Sequence, residues 1–218
     1  MNWNRMRYTV WAGVYDALLR RLPAFDEARR RSIRSLGLSP GQRMLIVGAG
    51  TGLDLPHVPQ GVRVVAVDVT PAMLARLRTR ASELAVDVDA RLMDGRALSF
   101  PEGCFDAVVM HLILAVMPEP DVGLREAERV LKPGGRIAVF DKFLRDDERP
   151  SVTRRLLNAV VTLLFSDINR RLGPIVAGTT LIVESDEPGA FGRMYRVVTL
   201  RKPLNGIPKA VPQPHPAP

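Results

Sequence analysis

The sequence predicts an α/β protein with a doubly wound, mostly parallel sheet of seven strands. Between Arg43 and Phe140, five apolar runs of strand length alternate with helical patterns, and this order is typical of a parallel sheet with helices on both faces. Two further strand-like runs lie near the end of the chain and are joined by residues of turn composition. They predict a closing hairpin that adds an antiparallel strand to the sheet edge.

The parallel strands and their helices follow in order along the chain. Residues 44–47 are a continuous apolar run that stops at a glycine, as a strand buried on both faces does. A β-branched run over 62–67 predicts the second strand. Thr70 and Pro71 predict the start of a helix, because threonine favours the cap and proline the first helical position. The remaining strands are expected at 86–93, 105–110 and 136–140, with helices over 71–84 and 121–131.

The N-terminal end of the chain is helical by pattern. Within residues 1–40, Trp3 and Trp11 lie on an apolar stripe of helical period, and a second helix is expected over 24–36. We therefore expect an N-terminal helical lid that packs against a main domain spanning 41–202.

The C-terminal part differs from the alternating centre. The hairpin strands are expected at 181–184 and 194–200, with their turn at 186–189. An apolar stretch at 156–165 predicts a core or interfacial helix. The proline-rich residues 203–218 predict a disordered tail.

Composition restricts the class of protein. The chain has 218 residues, of which 46% are hydrophobic and 25% charged, and these values are typical of one globular domain. A single cysteine, Cys104, excludes a disulfide framework, and the three scattered histidines suggest no metal site. No apolar run approaches the ~20 residues of a membrane span, and no signal peptide is recognisable. We therefore expect a cytoplasmic protein.

The net charge of +8 is unevenly distributed. Residues 1–43 carry nine basic and three acidic side chains, residues 44–100 carry six of each, and residues 101–150 carry seven basic and ten acidic. A nucleic-acid-binding protein would be basic throughout, so nucleic acid is not expected as a partner. Residues 151–218 carry nine basic and four acidic side chains, so both ends of the chain are basic. These two basic ends suggest contact with an anionic partner, such as the inner face of the membrane. Arginine-rich usage from a GC-rich coding sequence is the alternative explanation.

The most informative motif is the glycine-rich segment Gly48-Ala49-Gly50-Thr51-Gly52, directly after the first strand. Glycines there let the backbone turn tightly and approach a ligand closely. The spacing is GxGxG and no long helix follows, so the phosphate-binding features of dinucleotide sites are absent. A nucleoside is therefore expected as the ligand.

Two acidic residues extend this motif into a pocket. Asp68 ends the second strand, where a carboxylate can accept hydrogen bonds from the hydroxyls of a ribose. Asp94 and Gly95 follow the third strand and can offer a carboxylate and a backbone N–H to a base. Because the strands are parallel, all these segments are expected at one sheet edge as a nucleoside pocket.

Four motifs in this order resemble those of class I S-adenosylmethionine-dependent methyltransferases. They lie within residues 40–142 and comprise 47–52, 67–74, 98–106 and 128–136. Within that family, the chain is most similar to the small bacterial phosphatidylethanolamine N-methyltransferases. The segments that carry this second resemblance are 50–56, 109–120 and the N-terminal Val14-Tyr15-Asp16.

The resemblance implies a Rossmann-like methyltransferase fold, S-adenosylmethionine as the cofactor and S-adenosylhomocysteine as the product. It implies that the glycine-rich segment faces the methionine part of the cofactor and that Asp68 holds the ribose. The backbone at His111 would approach the methionine amino group. The residues implied to border the adenine are Val69, Met73, Asp94 and Gly95.

The resemblance also implies a methyl acceptor, the amine of a phospholipid headgroup. A quinone-type lipid or a soluble small molecule is the alternative acceptor, and a non-catalytic cofactor-binding or scaffold domain is the alternative of another class. An amine attacks only when it is uncharged, so a base or a desolvated pocket is needed. His111 is the first candidate for a catalytic base because histidine titrates near neutrality, and Tyr15 is the second.

Overall fold

The computed structural model describes residues 22–144, 170–192 and 194–204. The strands within these residues are β1 (Arg43–Val47), β2 (Arg63–Asp68), β3 (Val88–Leu92), β4 (Phe105–His111), β5 (Leu131–Lys142), β6 (Ile182–Pro188) and β7 (Tyr195–Arg201). They form one sheet in the order β3-β2-β1-β4-β5-β7-β6. Strands β1 to β5 are parallel, and β7 pairs antiparallel with β5 and β6. The predicted α/β fold with a closing antiparallel hairpin is confirmed.

Helices cover both faces of the sheet. Those described are α1 (Pro23–Arg34), α2 (Pro71–Glu83), α3 (Pro120–Val130) and α4 (Leu172–Ala177), with a short 3-10 turn at Leu55–His57. The first three begin with proline in the first turn, where its missing N–H leaves no helical hydrogen bond unmade. α2 starts where predicted, but the side chain of Thr70 makes no capping hydrogen bond.

The hydrophobic core lies in two layers because side chains alternate along each strand. On β1, Leu45 and Val47 point to the layer that contains α3 and α4. Met44 and Ile46 point to the opposite layer, which contains α1 and α2. Both faces of β1 are thus buried, which explains the continuous apolar run in its sequence.

The hairpin strands differ from their predicted bounds. The expected turn at 186–189 is wrong, because β6 continues to Pro188 and pairs there with Arg196. Proline is tolerated in this position since β6 is the edge strand. The chain reverses between Gly189 and Met194 instead. This β6–β7 turn lies beside the carboxyl end of β5, where Lys142 pairs with Tyr195.

The fifth strand also begins earlier than its apolar run. Leu131 already pairs with Phe105, and a register shift separates this pair from the next one at Ala107 and Arg136. The glycines and proline at 133–135 therefore lie inside an irregular strand, not before it.

Several predicted features lie outside the described residues. They are the first N-terminal helix with its tryptophans, Tyr15, the 156–165 segment and residues 205–218 of the tail. Among the helices of the described ranges, none has the length and hydropathy of a membrane span.

Candidate functional site

The glycine-rich segment forms a tight loop at the carboxyl end of β1. Gly48, Gly50 and Gly52 all have positive φ angles, of 68°, 54° and 79°, a conformation that favours glycine. The Gly48 amide donates a hydrogen bond of 2.9 Å to the carbonyl of Val67 on β2. A Cβ at Gly50 would meet no atom within 4 Å. The loop is therefore anchored at its start and open at its centre, as a backbone cradle for a ligand requires.

Asp68 at the end of β2 is joined directly to this loop. Its carboxylate accepts hydrogen bonds from the backbone amides of Gly50 at 2.9 Å and Thr70 at 2.8 Å. Burial raises the pKa of Asp68, and these amides counteract part of that shift. The predicted ribose-binding acid thus lies in contact with the predicted methionine-binding loop.

The segment after β3 reaches the same edge. A Cβ on Gly95 would lie 2.5 Å from the Cγ1 atom of Val47, so only glycine allows this approach to β1. Asp94 forms an ion pair of 2.8 Å with Arg96. Its carboxylate also accepts the Arg96 amide at 2.9 Å.

The other residues predicted to border the cofactor lie around these strand ends. Met73 is buried on α2, whereas Val69 is exposed just after β2. Ala49 and Thr51 are buried in the loop, and the Thr51 carbonyl accepts a hydrogen bond of 2.7 Å from Arg80. The structure thus brings together the predicted residues of all three strand ends.

A segment within the 109–120 stretch connects two parts of this site, a role that the sequence did not predict. Residues 112–117 follow β4 and are called the β4 loop here. The side chain of Ile113 occupies the space where a Cβ on Gly48 would stand, and Met117 lies 3.0 Å from the corresponding position on Gly95. Leu112 has a positive φ of 56°, which is uncommon for a branched side chain. Only three-dimensional packing shows this bridge.

His111 lies at the carboxyl end of β4, in a buried polar cluster. Its Nδ1 atom is 2.6 Å from Asp54 Oδ1, and its Nε2 atom is 2.9 Å from Ser32 Oγ on α1. Arg29 donates to the same Asp54 oxygen at 2.6 Å. We call these four residues the His111 cluster.

Burial and the charges within the His111 cluster shift the pKa values of Asp54 and His111. Burial alone would raise the pKa of Asp54, but Arg29 and His111 lower it well below its usual range. Burial lowers the pKa of His111, although the Asp54 carboxylate offsets part of the shift. A neutral His111 then donates from Nδ1 to Asp54 and accepts at Nε2 from the Ser32 hydroxyl. The His111 side chain has no exposed surface.

Among the described residues, no group of histidine, cysteine and acidic side chains could hold a metal ion.

Comparison with known proteins identifies the family. Residues 45–139 match the family model described as a methyltransferase domain. The chain is 36% identical over 197 residues to a phosphatidylethanolamine N-methyltransferase of Cereibacter sphaeroides, covering 89% of this chain and 95% of that protein. It is 38% identical over 140 residues to a demethylmenaquinone methyltransferase of Tropheryma whipplei, covering 63% of this chain and 58% of that protein.

A solved structure shares the fold. Geranyl diphosphate C-methyltransferase of Streptomyces coelicolor, in complex with Mg²⁺, geranyl diphosphate and S-adenosylhomocysteine, gives a TM-score of 0.67 at 18% identity, with 81% of this chain and 80% of that chain covered. S-adenosylmethionine is the cofactor of the methyltransferase family that this chain matches. The chain belongs to the class I S-adenosylmethionine-dependent methyltransferases.

Proposed function

We propose that the enzyme transfers methyl groups to the amine of a phospholipid headgroup, as a phosphatidylethanolamine N-methyltransferase. The similarity to the Cereibacter protein carries this proposal, because it extends over 95% of that protein. The similarity to the demethylmenaquinone enzyme extends over only 58% of its length. The alternative acceptor is a quinone-type lipid or a soluble small molecule.

The β6–β7 turn supports an amphiphilic acceptor. This turn lies beside the carboxyl end of β5, at the same edge as the glycine loop. Phe191 is 59% exposed and Met194 is 52% exposed there. Exposed apolar side chains of this size near a catalytic edge favour contact with lipid.

We assign the cofactor to the strand ends described above. The backbone of residues 48–52 and of His111 would border the methionine part, and Asp68 would hold the ribose. The adenine would lie between Val69 and Met73 with its edge at Asp94 and Gly95. The open space at Gly50 and the Asp68 contact with the loop fit such a ligand.

Methyl transfer requires the protein to position the acceptor more than to activate the leaving group. When bound, S-adenosylmethionine supplies a methyl group on a cationic sulfur, which is a good leaving group without help from the protein. The residues of the site then have to hold the acceptor close to that methyl group and in line with it. An ammonium headgroup must also lose a proton before its nitrogen can attack.

His111 and Tyr15 remain the candidate groups that receive this proton. A base role for His111 requires that Nε2 exchange its contact with Ser32 for the acceptor or a relay to it. His111→Ala should then lower kcat far more than affinity for S-adenosylhomocysteine and change the acid limb of the pH–rate profile. An unchanged acid limb would mean that His111 does not act as the base and only stabilises the buried polar cluster.

The acceptor is tested with purified enzyme and S-adenosylmethionine labelled in the methyl group. Vesicles containing phosphatidylethanolamine should yield labelled mono-, di- or trimethylated lipid by mass spectrometry. Phosphatidylcholine vesicles that carry a demethylated menaquinone, and soluble ethanolamine without vesicles, test the alternatives. Label in the quinone alone would overturn the phospholipid proposal. Asp68→Ala serves as the cofactor-site control in every arm.

A further inference from the structure

The β4 loop (112–117) contacts the candidate cofactor site at two separate points. Ile113 packs against Gly48 in the glycine loop, and Met117 packs against Gly95 after β3. A displacement of this loop would therefore move both contacts together. All six of its side chains are apolar, so its polar anchoring must come from its backbone.

Two charged side chains hold that backbone from outside the loop. The Arg170 guanidinium donates to the carbonyls of Leu114 and Met117, both at 2.6 Å. The Asp141 carboxylate accepts the amide of Ala115 at 2.9 Å. The cationic Arg170 thus donates to backbone carbonyls, and the anionic Asp141 accepts from a backbone N–H. In both cases the charge of the side chain strengthens the hydrogen bond.

Asp141 is the ionisable member of this arrangement. It lies near the end of β5, only 1% of its surface is exposed, and its second oxygen accepts the Lys142 amide at 2.8 Å. Both oxygens accept backbone N–H groups, so the carboxylate matches its surroundings better than the carboxylic acid. Burial nevertheless raises the pKa of Asp141 to about 6, although the Ala115 and Lys142 amides counteract the shift.

The charged and titratable groups near Asp141 come from several elements. Lys142 lies next to it on β5. On β7, Arg196 is its register partner, and the phenol of Tyr195 has its pKa raised by burial and by the Asp141 charge. Arg170 lies across the β4 loop. The loop itself has no titratable side chain.

We propose that Asp141 is a positioning residue for the cofactor site, in which its ionised carboxylate holds the β4 loop against Gly48 and Gly95. Binding of S-adenosylmethionine and S-adenosylhomocysteine should then favour ionised Asp141. Protonation removes an acceptor from one backbone amide and loosens the loop. This inference rests on the proposed cofactor site and is independent of the methyl acceptor.

The test measures the affinity for S-adenosylhomocysteine by calorimetry between pH 5 and pH 8. If binding lowers the pKa of Asp141 by about one unit, the Kd of the wild-type protein rises about fivefold from pH 7.5 to pH 5. Asp141→Asn should show a raised Kd already at pH 7.5, because the Asn amide cannot accept from both backbone N–H groups. Its Kd should then change much less with pH than that of the wild type. Asp68 and His111 are present in both proteins, so the difference between the two profiles reports Asp141.

Asp106→Asn is the matched control. Asp106 also accepts a backbone amide, that of Arg43 at 2.8 Å, and pairs with Lys132, but it lies at the amino end of β4. This variant should keep the wild-type Kd and pH dependence. Hydrogen exchange at a fixed pH gives a second measurement, since residues 112–117 should exchange faster in Asp141→Asn and not in Asp106→Asn.

Two outcomes separate this inference from the cofactor assignment. If Asp68→Ala binds S-adenosylhomocysteine as tightly as the wild type, the assigned cofactor site is wrong. If Asp68→Ala loses binding but Asp141→Asn keeps the wild-type Kd and pH slope, the role of Asp141 alone is refuted. Unchanged exchange in the β4 loop of Asp141→Asn also refutes it.

Discussion

The His111 cluster places an ion pair, a histidine and a hydroxyl in the protein interior. Asp54 accepts hydrogen bonds from both Arg29 and His111, so one carboxylate satisfies two groups on different elements. Such a buried pair adds little net stability relative to apolar packing, but removing one partner leaves the other charge uncompensated. The cluster therefore fixes α1, the segment after the glycine loop and the end of β4 in one arrangement.

Asp54→Asn should destabilise the protein by about 3–5 kcal/mol at pH 7, because Arg29 is left buried without its counter-charge. Urea unfolding measures this change. The folded pKa of Asp54 is depressed, so its contribution is complete above the unfolded value of about 4 and is lost as the pH falls further. The difference from wild type should therefore shrink progressively as the pH falls below about 4.

Asp121→Asn is the control for this stability measurement. Asp121 forms a solvent-exposed ion pair with Arg125 on α3, and its replacement should change stability by less than about 0.5 kcal/mol. A similarly small effect of Asp54→Asn would mean that Arg29 finds another partner or water.

At the scale of elements, the glycine loop and the β4 loop depend on each other. The positive φ of Gly48 allows the turn after β1, and the missing Cβ leaves room for Ile113. A shift of either loop would therefore change the contact between Gly48 and Ile113. Position 48 therefore favours glycine both for its positive φ and for the space that Ile113 occupies.

Gly48→Ala should weaken binding of S-adenosylhomocysteine at least tenfold, because its Cβ would lie 2.5 Å from Ile113 Cγ1 and must displace that side chain. Calorimetry at pH 7.5 measures the effect. Gly103→Ala is the matched control, since Gly103 has a similar φ of 60° and open space around its Cβ position. If Gly48→Ala binds S-adenosylhomocysteine as tightly as Gly103→Ala, neither the positive φ of Gly48 nor its contact with Ile113 is needed for binding.

The sequence predicted those parts of the site that depend on one residue type at one strand end. The glycines after β1 and Asp68 after β2 were predicted from their residue type and their position directly after a strand, without knowledge of distant contacts. The His111 cluster could not be predicted in the same way, since Asp54 and Ser32 lie 57 and 79 residues from His111. The turn at 186–189 was misplaced because pairing with β7 overrides the local preference of Pro188.

At the scale of the whole molecule, charge and exposed apolar surface predict where the enzyme works. The net charge is +8, and nine basic residues lie within residues 1–43. Each basic residue near an anionic membrane contributes about 1 kcal/mol, and salt screens this attraction. Binding should therefore be reversible and should need apolar contacts as well as charge.

We expect the protein to sediment with anionic vesicles at low salt and to be released at high salt. Replacing Trp3 and Trp11 by alanine should weaken this binding, because aromatic side chains favour the membrane interface. Leu84 is an exposed apolar residue at the end of α2, and Leu84→Ala should leave vesicle binding unchanged. A protein that ignores anionic vesicles at low salt would favour the soluble acceptor.

The position of Asp141 late in the chain has a consequence for synthesis. On the ribosome, α1, β1 and α2 emerge before His111 and well before Asp141, so a nascent chain can form the glycine loop while the residues that brace it are still missing. If Asp141 positions the cofactor site as proposed, tight cofactor binding begins only once β4 and β5 have joined the sheet. Because a ligand stabilises only the state that binds it, the cofactor would protect the completed enzyme from proteolysis and leave truncated or stalled chains exposed to degradation.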